Sequence, residues 1–236
     1  MRCARLIAIF AVAVLTVCLL WYRFSLHRRE RSQDGPIRAA AARYGVDPAI
    51  VKAIVWRESR FDPWVRGSAG EIGLMQIRED AAQEWADAEK VDTFQHEHCF
   101  NPVTNTLAAT WYLRKLLKRY ARADDPLPYA LADYNAGRGN VLKWISGAAA
   151  TNSASFIRQI GFPGTRSYVT EVTRRAARYR PWISLNRSKA LSTSPVVAGG
   201  FSPALHPGLA GECGPAAPRS NRSGQMATGF GNRPSS

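Results

Sequence analysis

The sequence predicts a mainly α protein: one compact helical domain, an N-terminal transmembrane helix before it and a disordered C-terminal tail after it. Three observations carry this reading. Residues Leu6 to Tyr22 run for 17 positions without a charge. Between about residues 34 and 186, apolar side chains recur at helical spacing, with few segments of strict two-residue alternation. From Arg187 onward Gly, Pro, Ser and Ala dominate, and no stretch can bury a face. The expected organisation is an anchor over 1–23, a linker over 24–35, a globular domain over 36–186 and a tail over 187–236.

At ~1.5 Å per residue, the apolar run is just long enough to span a thin hydrocarbon core. It ends in bulky Leu19, Leu20, Trp21 and Tyr22, so no small-x-small cleavage site follows it cleanly. It reads as an uncleaved signal anchor. Arginines flank both sides, so charge asymmetry does not set its orientation.

The net charge of +14 divides into +5 for residues 1–33, +5 for 34–186 and +4 for 187–236. Most of the excess therefore lies in the ends. It suits an anionic surface such as lipid headgroups or wall polymer, and no nucleic-acid motif accompanies it. Of four cysteines only Cys99 falls in the domain; it reads as a small buried residue, with a bridge to Cys213 as the alternative. His96, His98 and Cys99 lack further ligands at any usual spacing, so no metal is expected. No cofactor is implied.

Helices are expected over 35–44, 47–59, 77–89, 101–121, 126–134, 138–146, 153–160 and 165–179. Asp47 can cap the second, with Pro48 at its first position, where a missing N–H costs nothing. Asn101 and Pro102 repeat the device. The row Leu107, Trp111, Leu113, Leu116, Leu117 and Tyr120 reads as a core-facing stripe.

Glu58 is the most informative residue. Val51, Ile54, Val55 and Glu58 fall on one helix face, which puts a carboxylate where burial is expected. A desolvated carboxyl holds its proton, as a general acid near neutral pH must. The ordinary alternative is a carboxylate solvated at a helix end or paired with Arg57 or Arg60. Three further segments break the helical pattern while keeping unusual side chains. ESRFDPWVRGSAGEIGLMQI (58–77) has glycines that let the backbone run close to a ligand. ALADYNAGRGNV (130–141) ends a helix sharply after Tyr134 and Asn135, and FPGTRSYVTEV (162–172) carries Tyr168.

In this order the segments resemble the soluble lytic transglycosylase (SLT) catalytic domain of the lysozyme-like superfamily, which includes goose-type lysozyme. The resemblance covers about residues 36–180. It implies a peptidoglycan-cleaving lyase acting between N-acetylmuramic acid and N-acetylglucosamine, with Glu58 as its single acid/base. It further implies that Ser68, Met75, Gln76, Asn135 and Tyr168 line the glycan groove and that Tyr134 orients Glu58. The implied partners are peptidoglycan strands, the cytoplasmic membrane and proteins of wall synthesis or remodelling, with the domain on the periplasmic side. The chain departs from the family at Arg78, which stands where a sugar-contacting Met is usual, and at Asp133 and Arg138. Asp133 could add a second carboxylate. A hydrolytic muramidase and a silent wall-binding module remain as alternatives.

Overall fold

A computed structural model describes the backbone of residues 2–193 and the side chains of residues 9–181. Its elements are α1 (Arg2–Ser32), α2 (Asp34–Tyr44), α3 (Pro48–Ser59), α4 (Glu79–Glu89), α5 (Pro102–Arg119), α6 (Pro126–Ala136), α7 (Arg138–Trp144), α8 (Ser153–Gln159) and α9 (Pro163–Thr193). Two 3-10 turns, His96–Phe100 and Gly147–Ala150, complete the described regular structure, which contains no strands, only isolated bridges.

The local signals act as their chemistry predicts. The Asp47 carboxylate accepts from the Ala49 N–H at 2.8 Å, and Asn101 Oδ1 accepts from Val103 N–H at 2.9 Å. Helix α3 is the centre of the domain, packed chiefly between α9 and α2, while α5 runs against α2, α4 and α6. Ala49, Val51, Ala53, Ile54 and Val55 of α3 are completely buried. Each of the larger three contributes ~1.5–3 kcal/mol on leaving water. The apolar face that delivers Glu58 is therefore part of the fully buried core of the domain.

Four features differ from the sequence expectation. Residues 24–32, expected as linker, continue α1 as helix, because Glu30 is tied to the buried Lys52 at 3.2 Å and Arg29 to Asp62 at 3.1 Å. Helix α4 starts at Glu79 rather than 77, since Ile77 is held extended by exchanging two backbone hydrogen bonds with Ile72, both 3.2 Å. Helix α9 runs on through Pro181 to Thr193, beyond the boundary expected at residue 186; the remaining tail, with Cys213, lies outside the described residues. In α5 the fully buried face is Asn105, Thr106, Ala108, Ala109, Thr110, Leu113 and Leu116. Leu107, Trp111, Leu117 and Tyr120 only pack at its margin. Asn105 and Thr110 on that face meet a loop, through the Met75 N–H and the Met75 sulfur.

Candidate active site

That loop is residues 65–77. The Gly67 N–H donates to Glu71 O at 2.7 Å and the Gly73 N–H to Val65 O at 2.9 Å, which folds the segment back on itself. Ile72 and Ile77 close the GLMQ turn between them. Asn105, fully buried on α5, then clamps it. Its Oδ1 accepts from Met75 N–H at 2.8 Å, and its amide donates to Ile72 O and Cys99 O, both at 2.9 Å. Gly73 has φ +78°, and a Cβ there would overlap the Asn105 amide and the Cys99 carbonyl. Only glycine fits, sterically and conformationally.

Glu58 sits on the last turn of α3, partly buried and close enough to this loop to feel the charge of Glu71. The chain stops there abruptly: Arg60 and Phe61, neither a glycine, adopt left-handed φ of 53° and 64°. Such backbone costs ~1–3 kcal/mol per residue and persists where the surroundings fix it. Burial pushes the Glu58 carboxyl up from 4.5 to about 7. The Tyr168 hydroxyl and the Arg57 guanidinium oppose this, and the negative field of Glu71 reinforces it. The result is a carboxyl still half protonated near neutrality.

Two tyrosines stand within electrostatic reach. Burial, and then the charge of Glu58, raises both the Tyr134 and Tyr168 hydroxyls well above the ordinary range, so both remain donors. They are placed differently. The Tyr134 hydroxyl donates to Met75 O at 2.8 Å and so holds the loop. The Tyr168 hydroxyl is buried beside Glu58 without a hydrogen bond of ordinary geometry among the described residues. The Tyr134 hydroxyl, expected to orient Glu58, is thus given to the loop, while the Tyr168 hydroxyl is the one coupled most closely to the Glu58 carboxyl. Arg57 extends over the Tyr168 ring at 5.6 Å and meets Glu171 at 3.3 Å, which ties the acid-bearing turn to α9.

The other expected groove residues also have definite places. Ser68 is exposed at the tip of the loop. Gln76, at φ +48°, donates through its amide to Val65 O and Gly73 O, both at 2.9 Å, leaving only its carbonyl oxygen for a ligand. Asn135 is exposed and accepts from Thr165 at 2.8 Å. Met75 is fully buried, its sulfur 3.9 Å from the Thr110 hydroxyl, so its side chain presents no exposed surface. His96 reaches the Ile77 carbonyl at 3.0 Å and His98 accepts from the Gln95 N–H at 3.2 Å, so both brace the turn beside the loop. Cys99 is free and buried.

Asp133 does not join Glu58. It is 2% exposed, and its Oδ2 takes both Arg119 at 2.6 Å and the Tyr120 hydroxyl at 2.7 Å. The second carboxylate of the site is Glu71, which sequence reasoning passed over. Its side chain lies across Gly67, where any Cβ would overlap it, and its Oε2 is buried without a partner among the described residues. A glutamate two positions before Gly73 in a glycine-rich loop was the available signal. Asn105 carried no comparable one.

Fold and site together define an all-helical domain in which one proton-holding carboxyl faces a clamped glycine-rich loop. The chain belongs to the family described as the Transglycosylase SLT domain, whose sequence profile matches residues 35–157, more than half of its length. It is 36% identical over 108 residues to the membrane-bound lytic murein transglycosylase F of Desulfosudis oleivorans, covering 44% of this chain and 22% of that protein. It is 33% identical over 127 residues to the membrane-bound lytic murein transglycosylase C of Klebsiella pneumoniae, covering 51% and 35%. The structure superposes on the 70 kDa soluble lytic transglycosylase of Escherichia coli with a TM-score of 0.57 at 26% identity, over 63% of this chain and 24% of that one. An inactive variant of the Pseudomonas aeruginosa enzyme Slt gives 0.58 at 25% identity, over 64% and 24%. The chain thus spans from about a fifth to about a third of the length of these relatives.

Proposed function

We propose that the protein is a membrane-anchored peptidoglycan lytic transglycosylase with Glu58 as its single acid and base. Protonated Glu58 donates to the oxygen linking N-acetylmuramic acid to N-acetylglucosamine, and the C1–O bond breaks. The positive charge that develops at C1 is shared with the neighbouring acetamido oxygen. Glu58, now ionised, accepts the proton of the muramoyl 6-hydroxyl, whose oxygen closes onto C1. No water is consumed, and the product is a 1,6-anhydromuramoyl end. Tyr168 and the Glu71 field set the readiness of Glu58; Ser68, Gln76 and Asn135 border the groove; Tyr134 and Met75 hold its floor. The observation that carries this reading is the Glu58 carboxyl, held protonated to about pH 7 over the clamped loop of an SLT domain.

Glycan-strand turnover by wild type and Glu58→Gln tests it, with anhydro ends expected from the former and none from the latter. Equal turnover in both would remove Glu58 from the chemistry, and an inert wild type would leave a wall-binding module. One observation favours a second reading, a hydrolytic muramidase: the unpartnered oxygen of Glu71 could hold a water, as two-carboxylate glycosidases do. Product mass separates them, since a hydrolysed end is heavier by one water.

Helix α1 contains an apolar stretch long enough to cross a membrane, with none of its hydrophobic window buried against the domain. We read it as a single-pass anchor of the cytoplasmic membrane with the domain outside, where peptidoglycan lies. Protease protection on spheroplasts checks that orientation: the domain is expected to be digested without lysis.

A further inference from the structure

The opposite side of α3 carries a second concentration of charge. Trp56 lies two positions before Glu58, about 200° around the helix, and the left-handed Arg60 just past the helix end folds back onto its ring. There a cavity of about 1110 Å³ opens between the end of α3, the lower turns of α1 and the middle of α9. Arg23, Arg29, Arg60, Arg175 and Arg178 line it, against the carboxylates of Glu30 and Asp62. Both carboxylates are already engaged, Asp62 with Arg29 at 3.1 Å and Glu30 with Lys52 at 3.2 Å. Arg23, Arg60, Arg175 and Arg178 make no ion pair among the described residues.

These cations are positioned rather than loose. The Trp56 indole carries the Arg60 guanidinium at 3.3 Å and that of Arg175 at 3.0 Å from its centroid. Stacking holds each guanidinium and leaves N–H donors on its edge, with the Tyr179 hydroxyl standing against that of Arg175; such an edge matches a phosphate bidentately. The Nε of Arg175 is buried without a hydrogen-bond partner. We propose that this cavity binds the phosphate headgroup of an anionic phospholipid and so clamps the domain to the membrane surface from which α1 emerges.

The position of the cavity selects a lipid over free phosphate. The uncharged run of α1 ends at Tyr22, and the lining of the cavity begins at that residue and extends to Glu30. At ~1.5 Å per residue this is roughly 12 Å of helix leaving the hydrocarbon, enough to cross a headgroup layer of about 5–8 Å. Trp21 and Tyr22, 70% and 60% exposed, stand at the boundary where interfacial aromatics belong. Tyr22 and Leu26 give the cavity an apolar edge on the bilayer side. Anionic headgroups are attracted to just such juxtamembrane cations.

The inference rests on the reading of α1 as an anchor, and the experiment keeps the two apart. The full chain is mixed with dioleoyl phosphatidylcholine vesicles and floated; failure to float would remove the anchor itself. The detergent-solubilised full chain is then examined by native mass spectrometry with dioleoyl phosphatidylglycerol, dioleoyl phosphatidylcholine or inorganic phosphate. Phosphatidylglycerol is expected to be retained at least tenfold more than phosphatidylcholine, and Arg60→Gln/Arg175→Gln is expected to reduce that retention at least fivefold. Unchanged turnover of isolated glycan strands in detergent certifies that the variant is folded. Arg23→Gln, an exposed change on α1, gives an independent reading, with a loss of at least twofold expected. Equal retention by the variants or equal retention of the two lipids would overturn the proposal, as would displacement of phosphatidylglycerol by equimolar inorganic phosphate.

Discussion

The last turn of α3 crowds like charges on both of its sides, and the two crowds behave in opposite ways. On the groove side Glu58 shares its surroundings with Glu71, and burial reinforces their repulsion. A carboxyl can escape such a field by keeping its proton, so the outcome is an acid poised near neutrality. On the other side Arg60, Arg175 and Arg178 gather around Trp56 and the end of α1. Burial, then the positive field of Arg175, lowers the Arg60 guanidinium from its ordinary value, yet a guanidinium stays charged at any physiological pH. Its crowding therefore persists as a standing positive potential. The same arrangement makes a proton donor from one residue type and an anion receptor from the other.

The comparison can be broken most directly at Glu58. Replacement by Gln should lower glycan turnover by at least roughly a hundred- to ten-thousandfold, the usual worth of a general acid, while phospholipid retention stays at its wild-type level. Loss of both together would show that the two sides are not independent. Asn105→Ala ranks next in its effect on the fold. It strips partners from the buried Met75 N–H and from the Ile72 and Cys99 carbonyls. A loss of roughly 2–5 kcal/mol is expected in urea melts, with turnover falling because the loop loses its clamp.

A third prediction uses the same Glu58→Gln variant and runs in the opposite direction. The folded carboxyl at about 7 lies above its ordinary 4.5, so the folded state binds the extra proton between these values. Wild-type stability therefore declines as pH rises from 4.5 to about 7 and stays lower above it. Gln carries no such cost. The variant should melt higher at pH 8 by roughly 5–10 °C, on the order of 3 kcal/mol, and the difference should vanish towards pH 4.5. Calorimetry at the two pH values measures it; a gain of equal size at both would show that burial of the charge is not the cause. The smallest effect is reserved for Glu71→Gln. Removing that negative field lets Glu58 ionise more easily, so the alkaline limb of the turnover profile should move to lower pH by up to about one unit. A limb that moves upward would reverse the assigned sign.

Much of this was legible locally. Asp47 with Pro48 and Asn101 with Pro102 mark helix starts within one residue, because a cap and its acceptor are neighbours in sequence. Glu58 was legible because three buried aliphatics on the same face announce its surroundings. What was illegible depends on contacts between distant segments. Asn105 clamps a loop about thirty residues upstream and reads in sequence as an ordinary helical polar residue. Asp133 looked like a spare carboxylate until Arg119 and Tyr120 were seen to occupy it. The helical course of residues 24–32 likewise follows from Glu30 meeting Lys52, a pairing that no window of sequence contains.

One residue, the buried Gln33, is all that separates the end of α1 from the start of α2. If α1 is the anchor proposed above, a flexible tether would let the domain sweep a volume, whereas this junction holds it at a fixed stand-off. Domain residues of α3 and α9 meet α1 from Tyr22 onward, where its uncharged run ends, so on the proposed anchor reading the domain stands directly at the bilayer surface. Under that proposal the acid would reach only strands lying next to the membrane. Its choice of substrate is then a matter of altitude before it is a matter of recognition.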